Sequence, residues 1–400
     1  PGAGNVGGAV LNDAGVVELV RTQVTENTAQ AGGGLYNDSG VMNLTDSEVS
    51  LNVAQDGGGG IFSNAQVGDA TLVLERTAVT GNASVSYGGG GIFTDYSGSW
   101  RPDLQVTSSI ISGNTAFWMG GGILAWRCDT TIEDSTISDN HAESGGGLAV
   151  FHATATIAGC TISGNTAETA GDIGGAGGGL AVTMAVINIS NSTISGNEAR
   201  GAATTAFYSG RGGGIGLIGM EHDPPEDSVA IIENSTICDN SAEVLGGGIA
   251  ALRVSGTADV QVELRNTIVA ENLEAGGAVL GNCVEAFPAV ITSTDFNLAD
   301  DATCNLIGTN DLVVPDAMLA PLADNGGPTW THLPDAGSPA VDSGDDAMCP
   351  EIDQHGNIRP WDGDGNGQVH CDRGAVEHGA PFFHGGFETG NTGGWSNTVP

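Results

Sequence analysis

The chain has 400 residues, of which 48 are acidic and 10 basic, giving a formal net charge of −38. This excess of carboxylates argues against nucleic acid and anionic membranes as partners, because neutralising phosphate groups requires clustered cations. Glycine occurs 66 times without the every-third-residue period of collagen, and 40% hydrophobic content is too high for a disordered chain, so we expect a folded protein.

A repeated phrase organises residues 1–280. In its copy at 135–148 it runs STISDNHAESGGGL, and its Asn recurs after 25 or 26 residues, or after that length plus an insertion. The residues three and eight before each Asn are aliphatic, as is the residue that follows the glycines; Ile137, Ile132 and Leu148 are examples. The Asn column comprises Asn27, Asn52, Asn82, Asn114, Asn140, Asn165, Asn197, Asn240 and Asn272.

These columns predict stacked β-strands. No segment carries a sustained apolar stripe at helical spacing, whereas residues around each column alternate with Ser, Thr and Asp. One unit cannot bury its apolar face, but turns stacked about 4.8 Å apart pair each strand with its equivalent in the next turn. We therefore predict an all-β parallel β-helix of about ten coils, with three strands per coil, a buried Asn amide ladder, and glycines at a tight corner.

The GGG[IL] and [ST]xxN elements resemble right-handed single-stranded parallel β-helix proteins and the repeats of bacterial polymorphic outer-membrane proteins. Related β-helix enzymes, the pectate lyases and polygalacturonases, use Asp clusters with Ca²⁺ and an Arg or Lys base, or several Asp residues around a glycosidic bond. Arg127 and His152 occupy equivalent positions in consecutive turns, and they are the best candidate catalytic pair. The alternative is that the repeats have no catalytic residue.

Aromatic residues near the loops predict a carbohydrate-binding surface. Tyr96, Trp100, Trp118 and Trp126 are the candidates for stacking on sugar rings, and a polysaccharide is the corresponding partner. The alternative is that they only cover the outer surface of the rod. Among the eight histidines we find no spacing typical of metal ligands.

The C-terminal part resembles a different module. Residues 322–345 and 349–378 contain NGGPTWTH, GSPAVDSGD, DQHGNIRP and CDRGAVE, which resemble the choice-of-anchor Q domain of surface-attached bacterial proteins. The resemblance implies a location at the cell surface and no reaction. We therefore expect repeats at 1–280, a C-terminal capping module at 281–380, and a tail at 381–400 that resembles a short GFE-x-G…W-S segment of exported bacterial proteins.

A calcium-like turn lies within this module. Asp362, Asp364 and Asn366 place oxygen ligands at alternate positions, with glycine at the sixth, but the twelfth residue is Arg373 where an EF-hand has Glu. Asp372, Glu377 and a backbone carbonyl oxygen are the candidates for the missing ligand. The expectation is a structural Ca²⁺ ion, and the alternative is a plain Asp-Gly turn.

Seven cysteines in an apparently exported chain favour disulfides. Cys283 with Cys304, and Cys349 with Cys371, are local pairs that would staple the C-terminal module. Cys128, Cys160 and Cys238 remain, and Cys160 replaces a Ser or Thr of an inward column, which predicts a buried thiol.

These observations together predict an extracellular or cell-surface bacterial protein that is non-catalytic and structural or adhesive. A signal peptide is expected to have been removed before Pro1, and the sequence has no apolar run of the ~18 residues that a membrane span needs. The exposed edge of the first coil predicts head-to-tail association into an oligomer or filament. The alternatives are a polysaccharide lyase or glycoside hydrolase, and a sugar-binding module without chemistry.

Overall fold

The computed structural model of the protein describes residues 5–96, 100–168, 175–201, 209–222, 224, 226–286 and 288–380, so the predicted tail at 381–400 lies outside the described residues. Within these ranges, strands stack into four long sheets, and successive members of each sheet come from successive turns of the chain. All but one of the pairings in these sheets are parallel, and the exception joins Leu273–Glu274 to Val279–Leu280. The predicted all-β parallel β-helix is therefore confirmed.

The first sheet begins every coil. Its strands are Val10–Asp13, Leu35–Asp38, Ile61–Ala65, Ile92–Tyr96, Ile123–Trp126, Leu148–Phe151, Leu180–Thr183, Ile215–Gly219, Ile249–Arg253 and Cys283–Ala286. We number the coils of the described chain from one, at Val10, to ten, at Cys283. The second sheet comprises Val16–Val20, Val41–Thr45, Ala70–Glu75, Pro102–Thr107, Asp129–Glu133, Thr154–Ala158, Val186–Ser190, Ser228–Glu233, Val260–Arg265 and Val290–Ser293.

Two shorter sheets complete each coil. The third comprises Gln23–Thr25, Glu48–Ser50, Ala78–Thr80, Ile110–Ser112, Thr136–Ser138, Thr161–Ser163, Thr193–Ser195, Thr236–Cys238, Ile268–Ala270, Leu298–Ala299 and Leu312–Val313. The fourth comprises Thr28–Ala31, Val53–Gly57, Ala83–Ser84, Thr115–Ala116, His141–Ala142, Thr166–Glu168, Glu198–Arg200, Ser241–Ala242, Leu273–Glu274 and Val279–Leu280.

The prediction of three strands per coil is wrong, because each coil also contributes a strand to a fourth sheet. The sequence did not indicate this strand, since the fourth sheet has no column of large aliphatic residues. Its inward residue is a small one, such as Ala142 or Ala167, both fully buried. The three predicted columns form the core, and Ile132, Ile137 and Leu148 are each 0% exposed. Burying an aliphatic side chain of this size stabilises the fold by about 2 kcal/mol.

The predicted Asn ladder is confirmed and lies at the corner between the third and fourth sheets. The Nδ2 of Asn140 donates to Oδ1 of Asn165 and to the carbonyl oxygen of Ile111, both at 2.9 Å. Its Oδ1 accepts the backbone N–H of Asn114 at 2.9 Å. The ladder continues past Asn272 to Asn282, at 2.9 Å.

The glycines occupy the corner between the fourth sheet and the next coil, as predicted. Gly145 has a φ of 59°, a conformation that side chains with a Cβ rarely adopt. Gly146 passes so close to Thr166 and Gly178 that an added Cβ would overlap their carbonyl oxygens. A larger residue at either position would force this corner open.

The C-terminal module packs against the side of the β-helix as well as its end. Residues 314–380 fold back along the outer face of the third sheet and reach coil six, where Gln354 Nε2 donates to the carbonyl oxygen of Cys160 at 3.1 Å. In coil seven the Thr193 hydroxyl donates to Gln354 Oε1 at 2.7 Å. In coil nine Asn266 Nδ2 donates to the carbonyl oxygen of Asp372 at 3.1 Å. The module is thus bonded to the side of the β-helix over several coils.

Both predicted disulfides are present, Cys283–Cys304 and Cys349–Cys371, with Cα atoms 4.8 and 6.3 Å apart. Cys128, Cys160 and Cys238 are buried free thiols. The prediction for Cys160 is confirmed, since its Sγ replaces a hydroxyl and contacts the carbonyl oxygens of Ile132 and Ala158. In the described part of the chain, no helix has the length and apolar character of a membrane span.

Candidate functional site

The corner between the first and second sheets brings several candidate residues to one side of the rod. In coils five and six the chain turns from the first sheet to the second at Arg127 and His152, which have φ values of 49° and 51°. The strands that precede them pair in register, with Trp126 beside Phe151. The predicted equivalence of Arg127 and His152 therefore holds in space.

Arg127 is held by Tyr96 of coil four. Its guanidinium carbon lies 4.5 Å from the centre of the Tyr96 ring, and its Nη1 donates to the phenol oxygen. The Nε–H is buried and meets no acceptor among the described residues. Beside it, burial raises the pKa of Asp95 to about 6, against the opposing charge of Arg127.

A series of contacting rings, which we call the aromatic band, lies along this side. It comprises Tyr36, Phe62, Phe93, Tyr87, Trp118, Trp126 and Phe151, with centroids of neighbouring rings 4.6–5.8 Å apart. Side chains alternate along a strand, so the second and fourth residues of first-sheet strands point away from the core. The band is buried at Tyr36, Phe62 and Phe93 but only half-buried from Tyr87 to Phe151.

The four predicted sugar-stacking residues differ in their surroundings. Trp118 and Trp126 both belong to the half-buried part of the band, with ring centroids 5.8 Å apart. Tyr96 presents one ring face to Arg127. Trp100 is 45% exposed and is not part of the band. The structure therefore brings Trp118 and Trp126 together and leaves Trp100 apart.

His152 meets a second histidine, which the sequence analysis did not anticipate. The long loop between Ile215–Gly219 and Ser228–Glu233 in coil eight reaches back towards coil six. Its Glu226 places a carboxylate oxygen 2.6 Å from His152 Nδ1, and its His222 ring centroid lies 4.6 Å from that of His152. Burial lowers the pKa of His152, although Glu226 opposes that effect.

The sequence analysis found no spacing typical of metal ligands among the histidines, and the structure brings His152, His222 and Glu226 together. His222 and Glu226 are four residues apart within one loop, and this local spacing was the only signal available in the sequence. The third member, His152, comes from another coil. Its proximity depends on the path of the loop, which the repeat pattern does not specify.

The calcium-like turn is closed by its own hydrogen bonds. Asp362 and Asp364 both accept the backbone N–H of Asn366, at 3.1 and 2.9 Å. Carboxylate oxygens of Asp342, Asp362 and Asp364 lie within 4.8 Å of one another. The two carboxylate oxygens of Asp372, the candidate for the missing ligand, accept the backbone N–H groups of Asp342 and His378 at 2.7 and 2.5 Å.

Several other motif residues of the C-terminal module are buried in its interior. Arg359 Nε donates to Glu377 at 2.6 Å, and both side chains are 0% exposed. Burial, followed by the charge of Glu377, raises the pKa of Asp372 to about 8. The DQHGNIRP and CDRGAVE segments therefore hold the module together and fasten it to the β-helix.

Comparison with known proteins supports the architecture. Residues 90–287 match the family described as right handed beta helix region, a segment that runs from coil four to the first strand of coil ten. The search of curated proteins and the search of solved structures gave no match. With the stacked parallel sheets, the family match confirms the predicted fold class, a right-handed parallel β-helix.

Proposed function

We propose that this right-handed parallel β-helix is a non-catalytic, secreted or cell-surface protein that adheres to polysaccharide through its aromatic band. The observation that carries the proposal is the contact between half-buried Trp118 and Trp126, with Tyr87 and Phe151 on either side. Aromatic rings offer a large apolar surface with low conformational entropy, which suits the C–H faces of sugar rings.

Charge narrows the class of polysaccharide. A net charge of −38 repels polyanions at long range, so neutral glycans are the favoured partners. The resemblance of residues 322–378 to surface-anchoring modules and the two disulfides support a location outside the cell.

The charged groups beside the band support binding rather than turnover. Inverting hydrolysis requires two carboxyl groups about 6.5–9.5 Å apart with room for water between them. Here Asp95 accepts the N–H of Tyr96 at 2.7 Å, Glu226 bonds to His152, and Arg127 is held over Tyr96. One observation favours the enzymatic alternative, because a carboxyl with a pKa of about 6 beside Arg127 suits acid–base catalysis.

Binding of neutral polysaccharides in affinity electrophoresis tests the proposal. We expect Trp118→Ala and Trp126→Ala each to weaken binding about tenfold, since a stacking contact contributes about 1–1.5 kcal/mol. Trp330→Ala is the matched control, because Trp330 is 54% exposed on the C-terminal module, away from the band.

Three outcomes would contradict the proposal. Absence of binding to every neutral polysaccharide tested would contradict the proposed adhesion. An equal loss of affinity in the Trp330→Ala control would show that the aromatic band is not the binding site. Release of sugar products by the wild-type protein, abolished in Arg127→Ala, would establish the enzymatic alternative instead.

A further inference from the structure

We propose that His152, His222 and Glu226 bind a divalent transition-metal ion of the Zn²⁺ class. One ring nitrogen of each histidine and one carboxylate oxygen of Glu226 lie within 4.8 Å of one another. The inference does not rest on glycan binding, because it concerns different side chains and is measured without polysaccharide.

The donor set points to the class of ion. Two imidazoles and a carboxylate suit Zn²⁺, Cu²⁺ and Ni²⁺, whereas Ca²⁺ and Mg²⁺ prefer oxygen ligands alone. Zn²⁺ binds imidazole nitrogen at about 2.0–2.1 Å, so its ligand atoms stand about 3.3 Å apart. The carboxylate of Glu226 already lies beside both rings, with one oxygen 2.6 Å from His152 Nδ1 and the other 3.7 Å from His222 Nδ1, the nitrogen that bonds to Pro224.

The hydrogen bonding of His222 prepares it as a ligand. Its Nδ1 lies 2.8 Å from the carbonyl oxygen of Pro224, which can only accept, so Nδ1 carries the proton and donates. The lone pair is then on Nε2. A backbone carbonyl that accepts from the second ring nitrogen is a common arrangement around metal-bound histidine, since it fixes both the tautomer and the ring orientation.

The position of His152 also favours binding. Its side chain is only 8% exposed and its ring packs against Phe151, so the ring is held in place beside the loop. Glu226 supplies one negative charge. Arg127 opposes a cation here, but its guanidinium is drawn over the Tyr96 ring.

The position of the site gives the ion a structural consequence. His152 belongs to coil six and packs edge-on against Phe151, with ring centroids 4.6 Å apart, whereas His222 and Glu226 belong to the loop of coil eight. A bound ion would fasten this loop to the corner of coil six. Three protein ligands leave a fourth position for water or a ligand oxygen, at the end of the aromatic band.

Titration of untagged, chelator-treated protein tests the site. We expect one Zn²⁺ per chain by calorimetry, and Co²⁺, used as a spectroscopic probe, to give the visible absorption of a low-symmetry site. His222→Ala and Glu226→Gln should each weaken Zn²⁺ binding at least about 100-fold, more than loss of an outer partner does. Both changes lie in a partly exposed loop, and circular dichroism verifies the fold.

His370→Gln is the matched control, because His370 also pairs with a carboxylate, that of Asp346 at 2.7 Å, but lies on the surface of the C-terminal module. The control should bind Zn²⁺ as the wild type does. Absence of stoichiometric Zn²⁺ and Co²⁺ binding would overturn the proposal, as would binding that survives in His222→Ala and Glu226→Gln. Polysaccharide binding is scored separately, so failure of one proposal is distinguishable from failure of the other.

Discussion

At the scale of single residues, the Asn ladder converts one side chain per coil into a continuous chain of hydrogen bonds. The buried amides satisfy backbone groups of the preceding coil, as Asn140 does for Ile111 and Asn114. Removing one amide therefore leaves several buried groups without partners. Such groups cost about 1–3 kcal/mol each.

We expect Asn140→Ala to lower the free energy of unfolding by about 3 kcal/mol or more, because Ile111, Asn114 and Asn165 all lose bonds from its side chain. Asn27→Ala is the matched control, since Asn27 is only partly buried and its Nδ2 donates to Asn52 at 3.0 Å and to a carbonyl oxygen in an exposed bond. It should cost about 1 kcal/mol. Urea denaturation measures both, and similar losses would contradict the ladder as a main source of stability.

At the scale of elements, we expect the acidic turn at 362–368 to be the part of the C-terminal module that responds to divalent cations. Asp342, Asp362 and Asp364 present carboxylate oxygens to one another, and their mutual repulsion opposes closure of the turn. A Ca²⁺ ion would relieve this repulsion and supply the structural role expected from the motif.

We expect millimolar Ca²⁺ to raise the melting temperature of the protein, with a shift that grows with ligand concentration. Asp364→Asn should abolish most of the shift, whereas Asp335→Asn, at an exposed acid of the same module, should retain it. An equal shift in the Asp364 variant, or none in the wild type, would favour the plain Asp-Gly turn.

At the scale of the whole molecule, docking of the C-terminal module makes stability depend on pH. The pKa of buried Asp372 is raised to about 8 in the folded protein, so folding favours its protonated form. This contribution is fully present below the pKa of an unfolded aspartate, about 4, and is lost as the pH rises through about 8. His332 and His355 have lowered pKa values because of burial, so they destabilise the fold as the pH falls below about 6.5.

We therefore expect the free energy of unfolding to decline between about pH 6.5 and pH 8 and to level off above that, as measured by urea denaturation at each pH. Asp372→Asn removes the titrating group and should flatten this decline, whatever its effect on absolute stability. The same slope in the variant and in the wild type would assign the decline to other groups.

Prediction from sequence succeeded where a residue type repeats in every coil. Ile132, Ile137 and Leu148 mark three sheets, and Asn140 marks the ladder, because stacking demands the same side chain at each level. The fourth sheet was not predicted because its inward residues are small, mostly alanine. The proximity of His222 and Glu226 to His152 was not predicted because an insertion loop follows no repeat. The contact of Gln354 with the β-helix was not predicted because its partners lie far away in the sequence.

The ladder also has an evolutionary consequence. Asn140 and Asn165 are 25 residues apart and Asn197 and Asn240 are 43 apart, yet both amide bonds measure 2.9 Å. The length of an inserted loop therefore does not change the hydrogen bonds of the Asn ladder. Loops can be exchanged, lengthened or lost at the corners while the register is preserved, so new recognition surfaces can arise on this scaffold without redesign of its core.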